Sequence, residues 1–128
     1  MAQFWHDHVH VLSPNPPRTA KFYVDNFGGR VVQKMRIPDG RTIIWVDIKG
    51  ALVLVMKPRP GTKITPTQGP PPLEHFGLRT NDLVGAIKEL KAKGVKVTME
   101  VKELVPKFFI AYVQDPQGVS IELVQDNR

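Results

Sequence analysis

The chain repeats one pattern of predicted secondary structure, and this duplication constrains its fold more than any other feature. In each half a short strand-like run leads into an amphipathic helix, and three further strand-like runs follow. Counted from His8 and His75, the helix-capping residues Asn15 and Asp82 fall at the same offset, and the helix-ending glycines fall within two residues of one another. The repeat predicts an α+β fold built from two strand-helix-three-strand units.

The first predicted unit covers residues 1–57. Residues 4–12 alternate between apolar and polar side chains, which is typical of a strand with one buried face. Asn15 is a suitable helix cap, prolines follow it in the first helical turn, and Gly28 with Gly29 ends the helix. Three further strands are predicted in the segments RVVQKMRI, RTIIWVDI and ALVLVMK.

The second predicted unit covers residues 74–128 and repeats this order. EHFGLRT indicates a strand, Asn81 or Asp82 can cap the helix, and Gly94 stops it. The last three strands are predicted in VKVTMEV, KFFIAYVQ and VSIELVQ. Between the units, residues 58–73 are rich in proline, which indicates a semi-rigid linker; the alternative is a flap beside a binding pocket.

Length and composition indicate a single soluble structural domain. The chain has 128 residues, of which 41% are hydrophobic, and no apolar run reaches the roughly 20 residues needed to span a bilayer. The first residues, MAQFWHDH, lack the regions of a signal peptide, so we expect a cytoplasmic location. Because the chain has no cysteine, any metal site must use histidine and carboxylate ligands.

The formal charge of +6 favours an anionic partner. Nucleic acid does not fit, because the basic residues are spread along the chain and no Arg-rich arm, helix-turn-helix signal or aromatic RNA-binding motif is present. We therefore expect a small-molecule substrate, with no nucleic-acid and no membrane partner.

Three predicted strands each carry a metal-capable residue on the face opposite their apolar side chains. His8 and His10 share one face of the first strand, His75 lies on the polar face of the fifth, and Glu122 lies on the polar face of the last. If these strands adjoin, the two imidazoles of His8 and His75 and the carboxylate of Glu122 suit a divalent metal with open coordination positions. This set predicts a metal-dependent enzyme.

Two further side chains are candidates for substrate binding. Arg79 lies on the same strand face as His75, where it can pair with an anionic substrate group or form an internal salt bridge. Trp45 can line the same hollow, although aromatic strand residues also serve in cores and interfaces.

Three segments of the chain resemble the vicinal oxygen chelate superfamily. They are DHVHVLSPNPPRTAKFYVDNFGG in the first half, and EHFGLRTNDLVGAIKELKAKGVKV and YVQDPQGVSIELVQ in the second. The resemblance spans nearly the whole chain and includes the DP-x-G-x-x-x-E ending. The superfamily includes glyoxalase I, methylmalonyl-CoA epimerase, extradiol dioxygenases and the fosfomycin and bleomycin resistance proteins. The resemblance implies a glyoxalase-like fold, two βαβββ units whose curved mixed sheets surround a central pocket, and a homodimer.

The resemblance also implies metal ligands. His8, His75 and Glu122 match the superfamily's ligand positions, and the cofactor would be a divalent ion such as Ni, Zn, Co, Mn or Fe. A fourth ligand, Glu or Gln in glyoxalase I and the epimerase, aligns with Leu54, which cannot coordinate. Three options stay open: the site has three protein ligands, His10 compensates, or the metal function has been lost.

The first functional hypothesis is a glyoxalase-like lyase, isomerase or epimerase. A small, oxygen-chelating, anionic substrate would bind near Arg79, Leu54 and Trp45 and lose a proton to form a metal-stabilised enediolate. Glu122 is the first candidate for the base. His10 is the second, since a neutral imidazole suits proton transfer.

Two alternatives are kept. An Fe(II) extradiol-type dioxygenase also uses two histidines and one carboxylate, and Tyr112 matches a tyrosine of that pattern, although the histidine that accompanies it is missing. A metal-free small-molecule binding or resistance protein shares the fold, but a charge of +6 argues against the cationic drug that bleomycin resistance proteins hold.

Overall fold

The structure is a computed structural model that describes residues 3, 6–62, 64 and 74–128. The chain divides into two compact units, Met1–Pro66 and Thr67–Arg128. Each unit contains one helix and four strands, which confirms the predicted duplication of an α+β unit. The connector predicted at 58–73 lies largely outside the described residues, so its two interpretations stay predictions.

The first unit forms a four-stranded mixed sheet with one helix. Its elements are β1 (His8–Leu12), α1 (Pro16–Phe27), β2 (Arg30–Arg36), β3 (Thr42–Ile48) and β4 (Ala51–Met56). The strand order is β1-β4-β3-β2, in which β1 runs parallel to β4 and the other pairs are antiparallel. A register shift between Val31 and Gln33 bends the edge strand β2.

Helix α1 begins and ends at the predicted residues. The side chain of Asn15 accepts a hydrogen bond from the backbone N–H of Arg18 at 3.2 Å. Gly28 ends the helix in the left-handed conformation, with a φ of 66°. A Cβ atom on Gly29 would meet Cγ1 of Val46 at 2.7 Å, so only glycine lets the chain turn this close to β3.

The core of the first unit lies between α1 and one face of its sheet. Tyr23 from the helix and Val46, Val53 and Val55 from the sheet are almost completely buried. Each such side chain contributes about 1.5–3 kcal/mol relative to exposure. Because strand side chains alternate, β1 directs Val11 toward this core, while His8 and His10 lie on the opposite face.

The second unit repeats the architecture. Its elements are β5 (Phe76–Arg79), α2 (Leu83–Ala92), β6 (Lys96–Val105), β7 (Phe108–Gln114) and β8 (Ser120–Asp126). The strand order is β5-β8-β7-β6, and β5 runs parallel to β8 as β1 does to β4. The two sheets therefore have the same topology.

Helix α2 is capped by Asp82, the second of the two predicted candidates. Its carboxylate accepts a hydrogen bond from the backbone N–H of Gly85 at 3.0 Å. The amphipathic character predicted for this helix is confirmed, because Leu83, Ile87 and Leu90 on one side of it are buried. Leu83 also donates its backbone N–H to Oε1 of Gln125 at 2.8 Å, which ties the helix start to β8.

Strand β6 is longer than the sequence pattern predicts. The predicted strand ends at Val101, but β6 continues to Val105. Apolar and polar side chains do not alternate regularly in this segment, and its pairing with β7 shifts register at three places. Lys107, with a φ of 67°, then forms the tight turn into β7.

The DPQG turn before β8 is held by one buried carboxylate. Oδ1 of Asp115 accepts hydrogen bonds from the backbone N–H groups of Gln117 and Val119, both at 2.8 Å. Gly118 adopts a φ of +85°, which favours glycine. The turn therefore fixes where β8 begins, and with it the position of Glu122.

Among the described residues, no helix combines the length and apolar character needed to cross a bilayer.

Candidate metal centre

The second unit brings three of the predicted site residues together. Glu122 lies in the middle of β8, directly opposite Tyr112 of β7 and in register with Gly77 of β5. His75 precedes β5 by one residue and shares the strand face of Gly77. The parallel β5–β8 pair thus positions the imidazole of His75 beside the carboxylate of Glu122.

The distances within this group are short. The hydroxyl of Tyr112 donates a hydrogen bond to Oε2 of Glu122 at 2.6 Å. Nε2 of His75 lies 3.6 Å from the same oxygen, and the side chains of His75 and Glu122 are 29% and 20% exposed. The rings of His75 and Tyr112 meet edge to face with centroids 5.2 Å apart. The carboxylate of Glu122 therefore accepts a hydrogen bond from Tyr112 and faces the imidazole of His75.

The second nitrogen of His75 faces a different carboxylate. Nδ1 lies 3.3 Å from Oε1 of Glu74. An imidazole that donates its Nδ1–H to an acceptor carries its lone pair on Nε2, the arrangement common in histidine ligands of metals. Glu74 therefore favours the tautomer of His75 in which the unprotonated Nε2 lies on the side of Glu122.

The spacing of the His75–Glu122 pair fits a shared cation. Two ligand atoms that each lie about 2.1 Å from one metal ion are separated by about 3–3.4 Å. The observed 3.6 Å between Nε2 of His75 and Oε2 of Glu122 is close to that separation. One imidazole nitrogen and one carboxylate oxygen are also a donor set that Zn, Ni, Co, Mn and Fe accept.

Tyr112 stays protonated over the physiological range. The hydrogen bond to Glu122 is the main reason that the pKa of Tyr112 is raised to about 12, followed by burial and the negative charges of Glu122 and Glu74. The phenol is therefore a permanent hydrogen-bond donor to the carboxylate.

The first unit holds the other two predicted histidines. Nδ1 of His8 lies 2.7 Å from Oδ2 of Asp7, so His8 has the same carboxylate arrangement as His75. The rings of His8 and His10 are 6.3 Å apart. Partial removal from water lowers the pKa of His10, and the positive charges of His8 and Arg41 lower it further.

Each sheet has a row of three residues that crosses its edge strand, β1 or β5, and the next two strands, and the two rows are equivalent in register. In the second sheet this row is Gly77, Glu122 and Tyr112, here named the carboxylate row. In the first sheet the same register aligns His10, Leu54 and Trp45, here named the leucine row.

Leu54 therefore occupies the position in its sheet that Glu122 occupies in the other, and Trp45 replaces Tyr112. Leu54 is 5% exposed. Nε1 of Trp45 is shielded from solvent and has no hydrogen-bond partner within the described parts of the chain. A buried donor without an acceptor costs about 1–3 kcal/mol. The indole N–H thus lacks the acceptor that Glu122 supplies to Tyr112.

Arg79 forms a long ion pair with Asp126. Its Nη1 lies 4.0 Å from Oδ2 of Asp126, and the side chain is 72% exposed. Asp126 also accepts hydrogen bonds from Arg128. Of the two predicted roles of Arg79, the geometry favours the internal salt bridge. Because this pair is weak and exposed, Arg79 is still available to an anion.

The predicted ligand set is thus brought together in part. His75 and Glu122 form a pair in the second unit, whereas His8 belongs to the first unit and its place beside them stays a prediction. Within the described residues, no group of three or more His, Asp or Glu side chains lies close enough together to hold a metal ion.

The sequence predictions missed two acidic residues, one beside a candidate histidine ligand in each unit. Asp7 and Glu74 each lie directly before a candidate histidine ligand and face its Nδ1 atom. The signal was present in the sequence, since an acidic residue precedes the histidine at the same place in both halves.

Comparisons with known proteins agree with this architecture. The Glyoxalase/Bleomycin resistance protein/Dioxygenase superfamily model matches residues 5–123. No curated protein matches the chain in sequence.

Three solved structures illustrate the range of similar folds. TnmS3, an antibiotic-binding protein from Streptomyces sp. CB03234, is 24% identical, with 99% of each chain covered and a TM-score of 0.76. The fosfomycin resistance protein FosX from Listeria monocytogenes is 14% identical, with 98% of this chain and 96% of that chain covered and a TM-score of 0.72.

The trypanothione-dependent glyoxalase I of Leishmania major is 20% identical, with 93% of this chain and 84% of that chain covered and a TM-score of 0.72. At these identities the three structures support the fold alone. The family model covers most of the sequence, from before β1 to within β8. The chain therefore belongs to the Glyoxalase/Bleomycin resistance protein/Dioxygenase superfamily.

Proposed function

We propose that this chain is a divalent-metal-dependent enzyme of the lyase, isomerase or epimerase type. It would act on a small, anionic substrate that chelates the metal through oxygen. The observation that carries the proposal is the His75–Glu122 pair, in which Nε2 and Oε2 face each other at 3.6 Å. Glu74 lies beside Nδ1 of His75, and Tyr112 donates a hydrogen bond to Glu122. Metal ligands commonly have such hydrogen-bond partners, which orient them.

His8 would complete the set as the third ligand. Its Nδ1 faces Asp7 in the way that Nδ1 of His75 faces Glu74, so both histidines favour the tautomer with a free Nε2. His8 would come either from the same chain or from a second copy in a homodimer. Both arrangements supply two imidazoles and one carboxylate and leave coordination positions for substrate oxygens.

When bound, the cation would stabilise negative charge on a substrate oxygen while the neighbouring carbon loses a proton. Glu122 has two oxygens for two tasks. Oε2 accepts the hydrogen bond from Tyr112 and faces His75, so it would be the ligand atom. Oε1 would accept the proton from the substrate carbon and return it to the adjacent carbon, which completes an isomerisation. His10 is the second candidate for this base.

Positive charge supports an anionic substrate. The chain has a formal charge of +6, and the exposed guanidinium of Arg79 lies on the strand face of His75. Its ion pair with Asp126 spans 4.0 Å, so a substrate carboxylate or phosphate can compete for it. Leu54 and Trp45 would contact the uncharged part of the substrate.

One observation favours an Fe(II) dioxygenase as the second candidate. Tyr112 contacts both Glu122 and the ring of His75, as expected of a tyrosine that assists a two-histidine, one-carboxylate site. A metal-free binding protein is the third candidate. It is supported by the likeness of the fold to an antibiotic-binding protein and by Leu54 in place of a fourth ligand.

Metal content separates these candidates. The protein would be purified without chelators, and bound Ni, Zn, Co, Mn and Fe would be measured for the parent chain and for His75→Ala. His6→Ala, a change in an exposed histidine of the same chain, is the matched control. We expect about one metal ion per chain in the parent and control proteins, and a loss of most of it in His75→Ala.

Activity then distinguishes the two enzymes. Metal-loaded protein would be assayed for proton exchange and isomerisation of the hemithioacetal of methylglyoxal, and separately for oxygen uptake with catechols. Oxygen uptake restored by Fe(II) alone would replace the isomerase with the dioxygenase. A parent protein that neither retains nor rebinds any metal ion would contradict both and leave the binding protein.

A further inference from the structure

The indole N–H of Trp45 is a hydrogen-bond donor without an acceptor. Nε1 is shielded from solvent and has no partner within the described chain. Buried polar groups of native proteins nearly always have partners, and the exceptions call for an explanation. Leu54, the neighbour of Trp45 in the leucine row, offers no acceptor atom.

The carboxylate row contains the hydrogen-bond acceptor that the leucine row lacks. At the equivalent position Tyr112 donates to Glu122 at 2.6 Å. Trp45 keeps a polar donor at that position although its cross-strand neighbour Leu54 is apolar. A bound molecule that supplies the acceptor accounts for both features.

The surroundings restrict the chemistry of that acceptor. Leu54 is almost fully buried, and an anionic group packed against it would lose much of its hydration. The nearest charged residue on the same face of β3, Asp47, is negative and accepts a hydrogen bond from the backbone N–H of Gly50. An uncharged oxygen on an apolar group fits this environment best.

We propose that the leucine row is a subsite for an uncharged oxygen acceptor, such as a carbonyl, ether or hydroxyl group, and that Trp45 is its hydrogen-bond donor. The subsite makes Trp45 a specificity-determining residue for the apolar part of the ligand. The inference rests on the proposed function in one respect only, namely that the same ligand carries the chelating oxygens.

Ligand binding at this subsite requires a local movement. Because Nε1 is shielded in the free protein, the indole ring or a side chain that covers it must shift before an external oxygen can reach it. Binding therefore changes both the hydrogen bond and the surroundings of the indole, and the signal is specific to Trp45.

The test uses two probes of nearly the same shape, acetophenone and ethylbenzene, of which only acetophenone has a carbonyl oxygen. Metal-free protein with ¹⁵N-labelled indole groups would be titrated with each probe and followed by NMR. The chain has two tryptophans, so Trp45→Phe assigns the Trp45 resonance. EDTA is present throughout, and the titration is repeated with Glu122→Gln, so that loss of metal binding does not affect the result.

We expect acetophenone to shift the Trp45 indole resonance downfield and to bind roughly tenfold more tightly than ethylbenzene, the ratio for one hydrogen bond. Trp45→Phe should reduce that ratio to about one. Leu54→Gln should place an amide oxygen beside the indole, shift the resonance without a probe and weaken acetophenone binding, while Leu54→Met should do neither.

The proposal is overturned if acetophenone, up to its solubility limit, leaves the Trp45 resonance unmoved. Equal affinities for the two probes in the parent protein would also overturn it. If the acetophenone response is present but the parent protein binds no metal, this subsite stands and the proposed enzymatic function fails.

Discussion

The carboxylate row of the second sheet and the leucine row of the first occupy equivalent positions but contain different residues at all three places. Tyr112 and Glu122 form a hydrogen-bonded polar pair, whereas Trp45 and Leu54 are a donor and an apolar neighbour. His10 stands where the second sheet has Gly77, which carries no side chain beside Glu122. The two halves therefore share one backbone register but differ in the chemistry of their side chains.

The divergence has a physical reason in each sheet. Glu122 is 20% exposed and would be costly to enclose without partners, and Tyr112 and His75 supply them. Leu54 is 5% exposed and contributes by apolar burial alone. One sheet therefore retains a polar centre suited to a cation, and the other presents a face suited to an uncharged group.

Glu122→Gln should have the largest effect, because it removes the one proposed carboxylate ligand while keeping the shape of the side chain. We expect Zn²⁺ affinity, measured by calorimetric titration, to fall by about 100-fold or more, since even the loss of a partner behind a ligand costs about 10–100-fold. Glu103→Gln, at an exposed position of β6, is the control. An unchanged affinity in Glu122→Gln would rule out the carboxylate as a ligand.

Leu54→Glu makes the leucine row resemble the carboxylate row. The resemblance to glyoxalase I and the epimerase implies a fourth ligand at this position, so we expect Zn²⁺ affinity to rise by roughly 10-fold. Without metal, the buried carboxylate should lower the free energy of unfolding by about 2–3 kcal/mol. Leu54→Met, which adds no ligand, is the control. A destabilised protein whose Zn²⁺ affinity does not rise would show that Leu54 lies away from the metal.

Tyr112→Phe removes the hydrogen bond to Glu122 and nothing else. We expect Zn²⁺ affinity to fall by about 10-fold and the free energy of unfolding to fall by about 1.5–3 kcal/mol, the usual range for a hydrogen bond to a charged group. Chemical denaturation of metal-free protein measures the second quantity. If neither value changes, the 2.6 Å contact has no energetic role.

Trp45→Phe is the matched change in the first sheet and should have the smallest effect. No hydrogen bond is lost, because Nε1 has no partner in the described chain. Removal of the orphaned donor offsets part of the packing lost with the smaller ring, so we expect the free energy of unfolding to change by less than about 1 kcal/mol. A loss as large as that of Tyr112→Phe would show that the indole N–H makes a hydrogen bond in the folded protein.

Local patterns predicted most of the fold. The caps at Asn15 and Asp82 and the left-handed Gly28 follow from neighbouring residues, and the structure confirms them. The extension of β6 to Val105 was missed, because three register shifts against β7 interrupt the alternation on which strand prediction depends.

The site could be predicted only where strand pairing decides it. The parallel pairing of β5 with β8 explains why His75 and Glu122 adjoin, and strand alternation alone identified the faces. The acidic residues Asp7 and Glu74 repeat before the histidines in the sequence, whereas their contacts with Nδ1 appear only in the structure. The missing partner of Trp45 depends on side-chain positions that no periodicity encodes. The place of His8 as a third ligand stays a prediction, because it depends on long-range assembly that local patterns do not encode.

The most direct test of the account is proton NMR of the Co²⁺-loaded protein. Each imidazole bound to Co²⁺ through Nε2 contributes one strongly shifted, exchangeable Nδ1–H resonance, and Asp7 and Glu74 should slow the exchange of these protons. We predict two such resonances in the parent chain, one in His8→Ala and one in His75→Ala, with two retained in His6→Ala. The absence of any shifted resonance, or a number that neither substitution changes, would contradict a metal centre built from these histidines.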